Sequence, residues 1–374
     1  MKYLTIVIGL FFFVGCFKEK TKINQVKNIS FVKAERKPTI IDSLITEQEI
    51  QEFVQKLNYP YYRFKDRNDS IKTYKTLEKF ELKKIKEFDR SYKEDIDSIT
   101  KIIADSLKIT ESYYKSDIDN NGFLDMVIIG DSKCCSSFTA LEPNSTRSSD
   151  YSVYALMNFG NDSINPVNLK RLSLILYSII PKIEYLKDKP QLTIFEPPQF
   201  SWPDNEKISN LKKIELAYKF GTFVEYNTNP KKYSIESIEY KTEGCYGNCP
   251  VFKLIMCNDQ TATLSAVEFN SLEPNLFEYS ISRELKGEFE TIIDIKNYKD
   301  IIDLLNYLDF PSLENDYYFS ATDQPSSQLT IMYDNGKTKI ISDYGKKGTH
   351  GLVKIYNMIS NLRTNQKWNK ITEN

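Results

Sequence analysis

The sequence predicts an α+β protein of two domains, the second a mainly antiparallel sheet with two helices packed on one face. Three observations lead there. Strand-like runs come in blocks instead of alternating with helices, which argues against a doubly wound parallel sheet. Asn335-Gly336, between Leu329–Tyr333 and Thr338–Ser342, is the strongest short hairpin signal in the chain. Two late segments carry Tyr298, Ile301, Ile302, Leu305 and Leu308, and Leu352, Ile355, Tyr356, Ile359 and Leu362. Both repeat apolar residues at i, i+3, i+4, i+7 and i+10, so each offers one stripe to a sheet.

The chain has 374 residues, of which 41% are apolar and 27% charged, a composition that supports hydrophobic cores and not disorder. Its 50 Lys and Arg against 51 Asp and Glu leave a net charge of −1, so no global field attracts nucleic acid, and none is expected as a partner. With His350 the one histidine, zinc sites built on two or three His ligands are excluded within one chain. The 13 glycines disfavour glycine-heavy repeats.

From the N-terminus, Lys2 precedes an apolar run from Leu4 to Val14. Such a run reaches about 16 Å as a helix, half a bilayer core, so it reads as a signal peptide over 1–15 and not as a span. Phe13-Val14-Gly15-Cys16 resembles the lipobox of bacterial lipoproteins. The resemblance implies lipidation at Cys16 and a membrane anchor of several acyl chains. Residues 16–45 are then a lipidated basic tether, with seven Lys or Arg against two Glu between positions 17 and 37. Position 17 is Phe and not the Asp of an inner-membrane retention signal, so the outer membrane is the expected address.

The first folded body is expected over 46–228. Thr46 and Glu49 form a capping-box pair ahead of Ile50, Phe53, Val54 and Leu57. Ile96, Ile99, Ile103 and Leu107 mark a second amphipathic helix. Strands follow at Met126–Ile129, Tyr151–Leu156, Leu172–Ile180 and Leu192–Phe195. The second body is expected over 232–367, opening on the alternating strand Val251–Met256.

Asp117-Ile-Asp119-Asn-Asn121-Gly122-Phe123-Leu-Asp125 is the first chemically pointed segment. Oxygens at positions 1, 3, 5 and 9, the Phe123 carbonyl at 7 and glycine at 6 are what a hard cation needs. An EF-hand would place Glu at position 12, where Ile128 stands. The spacing resembles the calcium loops of integrin-type repeats, which lead straight into a strand. Structural Ca²⁺ held by Asp117, Asp119, Asn121, Phe123 and Asp125 is one reading. A plain hairpin turn at Asn121-Gly122 is the other.

Beyond Cys16 the cysteines are Cys134, Cys135, Cys245, Cys249 and Cys257, and an exported chain meets an oxidising compartment. Cys245-Tyr246-Gly247-Asn248-Cys249-Pro250 admits three readings: a structural disulfide, a redox-active pair, or a Cu(I) thiolate site completed by His350. Pro250 leads into a strand, so the helix that activates thioredoxin-like cysteines is absent from the pattern.

Cys245 to Pro250, with Val251-Phe252, Thr322-Asp323-Gln324-Pro325 and Asp343-Tyr344-Gly345, resembles a family of bacterial domains of unknown function marked by Cys-Tyr/Phe-Gly-x-Cys-Pro. The likeness covers roughly 232–365 and implies a boundary and a motif, with no activity to carry over.

The function expected is therefore an envelope lipoprotein anchored by lipid at Cys16. It acts as a non-catalytic module for an envelope protein or a small ligand. The alternative is a thiol-redox or Cu(I)-handling protein using Cys245 and Cys249. No catalytic residues are assigned; a hydrolase built on Asp323, Asp343 and His350 would need a cleft that gathers all three.

Overall fold

The computed structural model describes residues 36–58, 61–65, 70–88, 98–132, 151–170, 178–186, 189–198, 207, 209–271, 276–278, 284–318 and 322–371. The lipobox, most of the tether, Cys134, Cys135 and most of the expected strand at 172–180 lie outside the described residues.

Packing starts earlier than the boundary expected at residue 46. A one-turn helix, Ile40–Ser43, places Ile41 in a core with Ile50 and Val54 of α1 (Glu47–Lys56). The physical reason is the Ile-Ile-Asp-Ser-Leu run, which is apolar enough to cover the next helix. The capping box forms as read: Thr46 Oγ1 accepts the Glu49 N–H at 3.2 Å, and Glu49 Oε2 accepts the Thr46 N–H at 2.9 Å. The second helix, α2, runs Ser98–Ser106.

A five-stranded antiparallel sheet follows. It contains β1 (Tyr113–Ser116), β2 (Asp125–Asp131), β3 (Tyr151–Asn158), β4 (Ile164–Asn168) and the short strand Glu81–Leu82. Every residue of β2 and β3 is buried, because both faces are covered. Met126, Ile128, Tyr154 and Leu156 pack with α1, while Val127, Ile129, Val153 and Ala155 pack into a second core. That second core is shared with a four-stranded antiparallel sheet of β5 (Ile180–Leu186), β6 (Lys189–Glu196), β7 (Lys212–Lys219) and β8 (Thr222–Glu225). The continuous apolar runs in the sequence therefore reflect burial on two sides.

The largest sheet has eight strands. Its main members are β9 (Ile235–Thr242), β10 (Val251–Cys257), β11 (Thr261–Glu268), β12 (Gly287–Ile292), β13 (Ser326–Tyr333) and β14 (Lys337–Tyr344). All pairings between these are antiparallel, and the short strand Asp316–Tyr317 adds parallel to β14. Asn335 and Gly336 both have positive φ at the β13–β14 turn, as the dipeptide requires. Leu254, Tyr240, Leu329 and Ile341 stand in one row across four strands. Over this face lie α3 (Ile295–Tyr307) and α4 (His350–Asn365), which bury Ile301, Leu304, Leu305, Leu352, Ile355 and Ile359.

Residues 34–374 cluster as one unit, and β8 is where the two halves meet. Phe223 belongs to the core between the first two sheets, and its neighbour Val224 to the core under α3 and α4. Glu225 then caps α4, its carboxylate accepting the main-chain N–H of His350 at 2.5 Å and of Gly351 at 2.9 Å. These N–H groups open the helix and have no intrahelical partner, so a carboxylate there satisfies both hydrogen bonding and the helix dipole.

Candidate functional site

The Asp-rich turn joins β1 to β2 and is held by its own side chains. Asp117 accepts the N–H of Asn121 at 2.9 Å and of Gly122 at 3.0 Å. Gly122 has φ +92°, a conformation that favours glycine and lets the turn close. The carboxylates of Asp117, Asp119 and Asp125 converge, with one oxygen of each within 4.8 Å of the others. Burial, then the neighbouring Asp117, raises the Asp119 pKa. Asp125 is fully buried, and burial, reinforced by Asp119 and Asp117, pushes its pKa up to about 7. Three carboxylates gathered this closely, with Asp119 and Asp125 pushed toward their neutral forms, are an electrostatic setting a divalent cation would relieve.

Asn121 and Phe123, the other two expected ligands, have contacts of their own in the turn. Asn121 Oδ1 accepts the Phe123 N–H at 2.8 Å, and its amide donates to Asn158 O at 2.8 Å and Asp119 Oδ2 at 3.2 Å. Phe123 packs its ring near Lys37 Nζ, 5.7 Å from the ring centre. Among the acidic side chains of the described residues these three aspartates converge, and their donors are all hard oxygen, which suits Ca²⁺ or Mg²⁺ over softer metals.

Asn158 is the residue that sequence reading misses. It ends β3, is buried, and uses every polar atom it has. Its N–H donates to Asp125 Oδ1 at 2.8 Å, and its Oδ1 accepts Gly160 N–H at 3.0 Å. Its amide nitrogen donates to Thr39 Oγ1 at 2.8 Å and Leu124 O at 3.0 Å. Lys37 N–H also donates to Gly122 O at 2.9 Å, so the chain leaving the tether is stitched to the turn itself.

The second site is the cysteine loop between β9 and β10. Cys245 and Cys249 stand at disulfide-bonding distance with Cα atoms 5.6 Å apart. Gly247 between them has φ +143°, the reversal expected of a glycine in so short a loop. Tyr246 projects at the tip with 89% of its surface exposed. Its N–H donates to Asp323 O at 3.1 Å, Gln324 N–H donates to the Tyr344 hydroxyl at 3.2 Å, and Gly345 N–H donates to Pro325 O at 2.9 Å. The three dispersed motifs therefore meet at one end of the eight-stranded sheet. Residues 236–363 match the family model of a domain of unknown function, DUF6438. No curated protein and no solved structure matches the chain.

Within the segment that matches DUF6438, Cys257 is a free thiol at the end of β10. The carboxylate of Asp343 is buried and accepts the N–H of Lys347 at 2.7 Å and of Gly348 at 2.8 Å. It thereby shapes the Gly345–Gly348 loop that leads into α4. Asp323 meets the cysteine loop through its main-chain oxygen, and His350 opens α4 beneath Glu225. Each of the three residues considered for hydrolysis thus has a place in a turn or cap.

Proposed function

We propose that this is a lipid-anchored cell-envelope protein, held at the outer membrane through Cys16, which serves as a non-catalytic binding or interaction module. A structural Ca²⁺ in the Asp117–Asp125 turn belongs to the same reading. The observation that carries the cation is the convergence of three carboxylates within 4.8 Å. The address rests on the lipobox-like Phe13-Val14-Gly15-Cys16. Where bound, the cation would neutralise Asp117, Asp119 and Asp125 and fix the turn onto which Lys37 is tied. It has no substrate to polarise in this reading. Palmitate labelling of the protein and of Cys16→Ser, with membrane fractionation, tests the anchor. Affinity capture from intact envelopes with calcium present and absent tests the module.

A thiol-redox or Cu(I)-handling role for Cys245 and Cys249 is the second reading, favoured by the exposed position of their loop. The strand that follows gives no helix N-terminus to lower a thiol pKa. Mass spectrometry after mild reductant separates the two: a readily reduced pair that takes up one Cu(I) supports the second.

A further inference from the structure

The helices α3 and α4 and the β7–β8 turn enclose a groove of about 510 Å³, within the size range of small-ligand sites and built from both halves of the chain. Lys296, Asn297 and Asp300 line it from α3, Lys354 and Asn361 from α4. Its floor is apolar, with buried Ile301 and Leu362, and Phe220 forms one wall.

The charges do not cancel. Asp300 is committed to Lys296, whose Nζ lies 2.7 Å from its carboxylate. That leaves Lys354, half-buried in the groove. Among the described residues its ammonium makes no hydrogen bond, and neither do the side-chain amides of Asn297 and Asn361. Burial lowers the Lys354 pKa, with Asp300 opposing from a distance. A desolvated ammonium is costly until an anion meets it, and amides that carry both donor and acceptor suit a ligand with peptide groups.

We propose that this groove binds the C-terminal carboxylate of an extended peptide. Lys354 receives the carboxylate, Asn297 and Asn361 hydrogen-bond the adjoining amide groups, and Phe220, Ile301 and Leu362 accept an apolar side chain. The inference names a ligand class for the binding-module reading and rests on that half of it, not on lipid at Cys16 or calcium in the turn.

The test is calorimetric titration of the full chain with acetyl-trialanine as the free acid and as its C-terminal amide. The free acid is expected to bind at least about tenfold more tightly, the usual worth of a charged hydrogen bond. Lys354→Met is expected to abolish that preference and Lys354→Arg to keep it, while Asn361→Ala weakens both probes without changing the melting temperature. Equal affinity for acid and amide, binding of neither at millimolar concentration, or a Lys354→Met protein that still prefers the acid would overturn the proposal. Envelope capture that still recovers a partner after such a result removes the groove and leaves the module. Failure of both removes the module as well.

Discussion

Asp125 and Asn158 are locked backbone to side chain across two strands. Asp125 Oδ1 accepts the Asn158 N–H at 2.8 Å, while its Oδ2 accepts the Ile118 N–H at 2.7 Å. One buried carboxylate thereby ties the start of β2, the end of β3 and the Asp-rich turn.

Asn158→Ala removes three side-chain hydrogen bonds, leaving Gly160 N–H without its partner in a buried place and Leu124 O without its partner in a half-buried one. A loss of about 2–4 kcal/mol is expected, read as a lower urea midpoint with an unchanged slope. A loss under half of that would mean the hub is replaceable by water.

Calcium is expected to raise the melting temperature of the wild type, and EDTA to lower it again. Asp119→Asn keeps the size of the side chain and removes one of the three carboxylates, so the calcium-dependent rise should shrink or vanish. Equal melting curves with calcium and with chelator would leave the turn as a plain hairpin.

Lys346 supplies the pH dependence. Its pKa is lowered to about 8, chiefly by burial, then by Arg363, with Asp343 opposing. Between that value and the ordinary lysine pKa the unfolded chain binds more protons than the folded one. Stability therefore rises with pH through this window. A gain on the order of 1–2 kcal/mol between pH 7.5 and 10 is expected, absent in Lys346→Met.

Gly351 sits where α4 approaches Leu308. A Cβ there would stand 2.2 Å from Leu308 Cδ2, so Gly351→Ala overpacks the contact. A cost of about 1–3 kcal/mol is expected by denaturant titration, with relief from Leu308→Ala in the double variant.

The Cys245–Cys249 pair closes a loop with a sequence separation of 4. Chain entropy for so short a loop is worth about 2 kcal/mol, so Cys245→Ser with Cys249→Ser should lower stability by that order. Envelope localisation should be unchanged. A variant as stable as the wild type would turn attention to redox use of the pair.

What could be read from the sequence was local. The Thr46–Glu49 box, the Asn335-Gly336 turn and the apolar stripes of α3 and α4 are set by residues a few positions apart, and they form where expected. The aspartates of the turn were readable for the same reason. Asn158 was not, because its partners lie 33 residues away at Asp125 and 119 away at Thr39; only strand register brings them together. The early packing of Ile41 escaped for a related reason, since one helical turn shows no periodicity. The groove beside Lys354 needs two helices and a distant hairpin, and no window of sequence contains it.

The sharing of β8 bears on how the segment that matches DUF6438 can travel. Successive residues of one short strand serve different cores, and the next residue, Glu225, closes the first turn of α4. A fragment cut at residue 236 loses Val224 from its core and leaves two N–H groups at the head of its last helix uncapped. Wherever such a domain is transplanted alone, another segment must bring an apolar residue and a carboxylate to those two places. The inherited unit is then larger than the stretch that carries the recognisable motif.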